Sequence, residues 1–201
     1  MTLQKRLFDL FTACVLSVIV LPIIAVIAVV ILVIDGGPVF HAGERMKTPT
    51  QGFRFYKFRT MRPDPNDSGV SGADKADRIT RTGAFLRRTR LDELPQLFNL
   101  FRGDISAVGP RPPLREYVER FPDIYEQVLR SRPGITGLAT VHFNRHEHWL
   151  LARSRSAAET DAIYCRACIP RKARLDLIYQ EHQGFCFDLA IILKTFAPSL
   201  R

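Results

Sequence analysis

Residues 11–34 read FTACVLSVIVLPIIAVIAVVILVI, 24 consecutive residues without a charge. As a helix this run would be about 36 Å long, enough to cross the hydrocarbon core of a bilayer. It is too long for an ordinary soluble core helix or for the apolar part of a signal peptide, and no small-residue cleavage site follows it. Attachment to a membrane is therefore the first constraint on the fold. Pro22 stands almost at the midpoint, where it removes a backbone hydrogen bond and crowds the preceding turn at a cost of about 3 kcal/mol, so a kink is expected. Lys5 and Arg6 precede the run, and Arg45, Lys47, Arg54, Lys57 and Arg59 follow it. Basic flanks favour the cytoplasm. A straight span would leave one of them outside, whereas a helix that enters, bends at Pro22 and leaves by the same face keeps both inside. The residues alone leave the two arrangements open.

The rest of the chain is long enough for one compact domain. The expected division is a membrane-inserted helix over 1–36 and a cytosol-facing domain over 37–201. A net charge of +9 and a pI near 9.8 point to phosphates as partners. Nucleic acid is not expected, because nucleic-acid surfaces show basic clusters without interleaved acids, and no recognised nucleic-acid motif is present. Four cysteines are too few for a disulfide scaffold and read as reduced thiols. The run PDPNDSGVSGAD at 63–74 reads as a mobile loop.

From Arg78 to Arg115 there are eight arginines, no lysine and three acids, two of which, Asp92 and Glu93, are adjacent. The segment RTRLDELPQLFNLFRGD places Leu94, Leu97, Phe98 and Phe101 at helical spacing, which predicts an amphipathic helix with one buried face and a stop at Gly103. Pro95 fits only the first turn, so the helix is expected to begin near Asp92, with Asp92 as N-cap. Most such pairs are capping or surface charges. The alternative is divided labour, one carboxylate attacking and the other holding a hard cation. Magnesium prefers one or two carboxylates plus substrate phosphates. Downstream, the prolines of SAVGPRPPL display Arg111 on a stiff loop, where a guanidinium loses little entropy in gripping phosphate. Upstream, FRFYKFRTM (53–61) alternates apolar and basic residues, as expected of a strand with an apolar side buried and a basic side toward phosphate.

Taken in order, the proline-containing apolar helix, YKFRTM (56–61), LDELPQLFN (91–99), GDISAVGPRP (103–112), RPGITG (132–137), LDLIY (175–179) and FDLAIILKT (187–195) resemble the bacterial sugar transferase family, the monotopic phosphoglycosyl transferases. The resemblance covers almost the whole chain. It implies a mainly α, α+β fold: a re-entrant membrane helix broken at Pro22, interfacial amphipathic helices, and a small cytoplasmic catalytic domain with few short strands. It implies transfer of a sugar 1-phosphate from a UDP-sugar to a polyprenol (undecaprenyl) phosphate with magnesium, through a covalent phosphosugar-enzyme. Asp92 is then the nucleophile and Glu93 the magnesium ligand. Lys57, Arg88, Arg111 and Asp188 bind or support phosphate and substrate. The bacterial cytoplasmic membrane is the implied location, with the lipid bilayer itself a partner. A non-catalytic scaffold of polysaccharide assembly is the competing reading, and the intact Asp92–Glu93 pair, Lys57 and Arg111 argue against it. Pairing as a homodimer is left open, as is the identity of the sugar.

Two departures from the family pattern stand out. Leu21 precedes Pro22 where a serine is usual, which removes one means of satisfying the freed backbone group. The sequence GERMK at 43–47 lacks the usual glutamine and glycine around Arg45, a position not expected to be catalytic. In the divergent stretch after 137, His142, His146, His148 and Trp149 either line a sugar pocket or serve packing and surface roles. Cys165-x2-Cys168 followed by His182-x3-Cys186 has zinc-like spacing, although a buried thiol is the ordinary reading of Cys186. The stretches 114–130 and 185–196 look amphipathic, as interfacial helices do.

Overall fold

The computed structural model describes residues 2–64, 70 and 72–196. It is mainly helical with two small sheets. Helix α1 runs from Leu3 to Ile34 with Pro22 inside it, so the expected break at Pro22 does not interrupt the helix, and Thr2 caps its start by accepting from the Lys5 backbone N–H. One narrow stripe of α1 is buried, Asp9, Ala13, Ile24, Ile27 and Ile31, at helical spacing. The rest of its apolar surface is exposed, with Val18 and Val33 each 78% accessible.

That stripe fixes α1 to the domain at both ends. Near the start, Lys5 forms an ion pair with Asp188 at 2.6 Å, and Arg6 donates to the backbone oxygens of Leu100 and Phe101. Asp9 accepts from Ser106 Oγ and the Ala107 N–H, both at 2.9 Å. At the far end, Asp35 accepts from Thr80 Oγ1, and the Arg59 guanidinium donates to the carbonyls of Asp35, Gly36 and Gly37. Between the ends, Ala13 packs with Leu97, Leu100 and Ile105, and Ile24, Ile27 and Ile31 pack with Phe58 and Leu86.

Strands β1 (Phe40–Met46) and β2 (Gly52–Phe58) form an antiparallel hairpin. The free edge of β2 is satisfied by buried Asn99, whose side chain accepts from the Tyr56 N–H and donates to the Arg54 carbonyl. Strand alternation corrects the expected division into apolar and basic sides. Residues two apart share a face, so Lys57 lies with Phe53 and Phe55, while Phe58 lies with Arg54 and packs toward α1. After the hairpin, residues 65–69 and 71 of the expected loop 63–74 lie outside the described residues, and Ala73–Arg78 forms a 3-10 helix. Helix α2 covers Arg81–Thr89.

The next helix, α3, begins at Gln96 and not near Asp92 as expected; it ends at Arg102 with Gly103 in the left-handed conformation, as the sequence indicates. Asp92 is not its N-cap. Pro95 has no N–H, so Leu91–Glu93 closes a 3-10 turn and only then does the α-helix start. The buried face of α3 is Gln96, Leu97, Asn99 and Leu100, whereas Phe98 and Phe101 point outward.

Strand β3 (Ser106–Val108) pairs in parallel with β4 (Gly134–Thr136). Gly109 and Gly134 meet backbone to backbone where a side chain on either would strike the other segment, which explains why GPRP and RPGITG each need a glycine. Helices α4 (Arg115–Arg120), α5 (Pro122–Val128), α6 (Leu138–Leu151), α7 (Ala157–Ile163) and α8 (Ile169–Glu181) complete the body. Their core is built from Tyr117, Val118, Tyr125, Val128, Phe143, Tyr164, Cys168 and Ile169, so the stretch 114–130 turns one face to the core while Arg115, Glu119, Arg120, Glu126 and Arg130 stay exposed. Helix α9 (Phe185–Phe196) buries Asp188 and Ile191 and exposes Phe185, Leu189 and Leu193 beside α1, where Phe185 meets Phe8 edge-on.

Candidate active site

The turn carrying Asp92 and Glu93 is set by Arg90, the one non-glycine residue with positive φ among the described residues (φ 58°). A left-handed arginine is uncommon and costs conformational energy that the surrounding structure must supply. It ends α2 and turns the chain sharply into the 3-10 segment.

The two carboxylates are treated differently. Glu93 receives the Arg111 guanidinium at 2.5 Å, with Arg90 at 4.0 Å from its other oxygen. Burial works to raise its pKa, but the charge and hydrogen bond of Arg111 outweigh it and hold Glu93 below the ordinary glutamate value. Asp92 has no hydrogen bond or ion pair among the described residues. Burial, with the adjacent Glu93 charge, raises its pKa, while Lys57, Arg87 and Arg111 oppose the rise. The result is a tethered carboxylate beside an untethered one.

Lys57 is likewise unpaired, and burial with the nearby charges of Arg45 and Arg87 lowers its pKa to about 8. Arg87 donates to Thr60 Oγ1 and to the Met61 sulfur, so the last residues of YKFRTM orient it. Arg111 also lies in the field of Glu147, which grips Lys172 at 2.9 Å. Lys172 lies part-buried between Glu147 and Tyr164, close to Asp176, whose pKa burial raises to about 7.

The structure thus gathers Lys57, Asp92, Glu93 and Arg111. It does not gather Arg88 or Asp188 with them. Arg88 is exposed and lies over the ring of Phe85, while its neighbour Arg87 acts on Asp92. Asp188 is buried on α9, held by Lys5 and the Tyr179 hydroxyl, where it fastens α1. Arg87, Glu147 and Lys172 join the site without having been singled out from sequence, and Arg45, at a position not expected to be catalytic, lies beside Lys57 as well. A readable signal existed for Arg87: Gly83, Leu86 and Arg87 share the inward side of α2. His142, His146 and His148 are exposed on α6, and Trp149 is half exposed with Arg153 stacked 3.5 Å from its ring centre.

Among the described residues no three His, Cys, Asp or Glu side chains converge as a metal cluster, and the cysteine–histidine spacing forms no zinc site. Cys168 is buried but Cys186 is exposed, contrary to the expectation for that thiol. Magnesium asks for less. Asp92 is unpaired and Glu93 keeps acceptor capacity beyond Arg111, so the donor set fits a hard cation completed by water and substrate phosphates.

An apolar helix, a carboxylate pair split into bound and unbound members, and a surplus of cations make up a candidate enzyme site suited to phosphorylated ligands. The sequence matches the family described as bacterial sugar transferase over residues 1–201, and the chain belongs to that family. It is 39% identical over 169 residues to the exopolysaccharide production protein PSS of Rhizobium leguminosarum bv. phaseoli, covering 80% of this chain and 84% of that one. It is 35% identical over 195 residues to the sugar transferase EpsL of Bacillus subtilis, covering 95% and 84%. It is 36% identical over 166 residues to the UDP-glucose:undecaprenyl-phosphate glucose-1-phosphate transferase of Klebsiella pneumoniae, covering 81% of this chain and 36% of that longer protein. The chain thus spans about a third of the Klebsiella relative's length.

Proposed function

We propose that the protein transfers a sugar 1-phosphate from a UDP-sugar to undecaprenyl phosphate, in exopolysaccharide or related glycoconjugate synthesis at the cytoplasmic face of the bacterial inner membrane. The observation that carries this reading is the contrast between Glu93, tied to Arg111, and Asp92, which has no hydrogen bond or ion pair among the described residues yet lies among cations. An Asp92 carboxylate oxygen attacks the phosphorus bearing the sugar. The new O–P bond forms as the P–O bond to UMP breaks, and the electron pair leaves with UMP. A phosphate oxygen of the polyprenol then attacks the same phosphorus, and its departure from Asp92 restores the carboxylate. Lys57, Arg87 and Arg111 neutralise the charge that moves between these oxygens. Glu93 would hold magnesium, which adds positive charge across the donor's phosphates.

The exposed apolar face of α1, with Phe98, Phe101 and the α9 residues Phe185, Leu189 and Leu193 beside it, is suited to the outer hydrocarbon of one leaflet. Because both ends of α1 are tied to one domain, the re-entrant arrangement is favoured over a straight span.

Intact mass of purified protein incubated with magnesium and UDP-sugars, without polyprenol phosphate, tests the reaction. An adduct of sugar-phosphate mass is expected, absent from Asp92→Asn. Equal adducts in both proteins would rule out Asp92 as nucleophile.

A further inference from the structure

Arg45 is the residue this site leaves unexplained. It belongs to β1, and the hairpin register sets it opposite Phe53, while Lys57 stands opposite His41. Cross-strand partners and residues two apart share a face, so Arg45 and Lys57 project from the same side of the hairpin. Between them lies the pair Gly43 and Phe55, and Gly43 has no side chain to fill the gap. Four residues of strand separate the two positions, about 13 Å of backbone. The guanidinium of Arg45 lies 5.9 Å from the centre of the Phe55 ring and has no hydrogen bond or ion pair among the described residues.

A partly buried arginine without a carboxylate is costly to hold, and folds keep such groups where an anion will complete them. The charges acting most on Asp92 are Glu93, Lys57, Arg87 and Arg111. Arg45 acts on Lys57 and lies near Arg111, one step further from the nucleophile.

Resting on the function proposed above, we infer that Arg45 grips the phosphate of the departing nucleoside monophosphate, while Lys57, Arg87 and Arg111 serve the phosphorus under attack. As the P–O bond breaks, the electron pair collects on the leaving phosphate, and Arg45 neutralises it there. The second half of the reaction, discharge of the sugar phosphate to the lipid, takes place after that group has left and has no need of Arg45.

The test compares wild type with Arg45→Gln and Arg45→Lys, each first shown to be folded by circular dichroism and thermal melting. Binding of UMP is measured by calorimetry, and the two half-reactions are timed separately. Arg45→Gln should weaken UMP binding and slow adduct formation by about tenfold to a hundredfold, the range for one charge-assisted hydrogen-bonded contact. Arg45→Lys should recover part of each. Discharge of preformed adduct to undecaprenyl phosphate should change less than threefold. Unchanged UMP affinity in Arg45→Gln, or discharge slowed as much as adduct formation, would overturn the inference. If wild type forms no adduct with any donor, the reaction proposal fails. Calorimetry with UMP still decides the role of Arg45.

Discussion

Lys57 is an ammonium with no ion pair among the described residues, on the same hairpin face as two phenylalanines. Its pKa in the folded protein, about 8, lies below the ordinary lysine value, so the folded state binds fewer protons between the two. Stability therefore rises with pH from about 8 toward 10, while the cation needed for phosphate is being lost. The pH profile of kcat/KM should fall on its alkaline side through an apparent pKa near 8, and Lys57→Arg should move that limb upward. Lys57→Met should lower kcat/KM by at least about a hundredfold yet leave the melting temperature equal or higher, because it removes a buried unpaired charge. On the acid side, burial holds Asp92 above the usual aspartate range, so activity should appear later with rising pH than for an exposed carboxylate. That Asp92, Glu93, Lys57 and Arg111 come together in one place was legible in the sequence. The choice between Arg87 and Arg88 was not, since adjacent helical side chains diverge by about 100° and a short amphipathic stretch does not fix its own rotation. Arg45 was named and set aside as not catalytic for a related reason. Its partner across the hairpin depends on register, and no local pattern in GERMK reveals it.

Among the elements, the junction between α1 and β3 links anchor to chemistry. Asp9 holds the Ser106 hydroxyl and the Ala107 N–H, and β3 runs within three residues of Val108 to Arg111. Asp9→Asn weakens a charged acceptor, so the melting temperature and kcat should fall together, the stability loss amounting to about 1–3 kcal/mol. Asp188→Asn leaves Lys5 buried without its counter-ion and should cost about 3–5 kcal/mol in denaturant unfolding. Its effect on the alkaline limb should be nil, which separates a fastening role from a place beside the phosphates. Element existence was readable from spacing, as with the stop of α3 at Gly103. The start was misplaced because Pro95 allows both an early cap and a 3-10 prelude, and only the turn at Arg90 selects between them. The face of α3 was misjudged because the outward placing of Phe98 and Phe101 reverses the usual rule for a soluble helix.

For the whole molecule, the anchoring of both ends of α1 makes a prediction about topology. Thr2→Cys and Gly36→Cys, mapped by peptide against the native thiols, should react with a membrane-impermeant maleimide in inside-out vesicles and in neither case from outside intact cells. Labelling of one site from each side would establish a straight span. The same anchoring bears on how the protein is made. The partners of Lys5 and Asp9 lie 183 and 97 residues further along the chain. Synthesis at the ribosome therefore releases the apolar helix long before the groove that receives its buried stripe exists, and lipid is the surface that can shelter it meanwhile. Maturation would then be a docking event at the bilayer, completed when α9 arrives. A version trimmed of α1 to gain solubility would lose one wall of its own core, leaving Leu97, Leu100 and Ile105 uncovered.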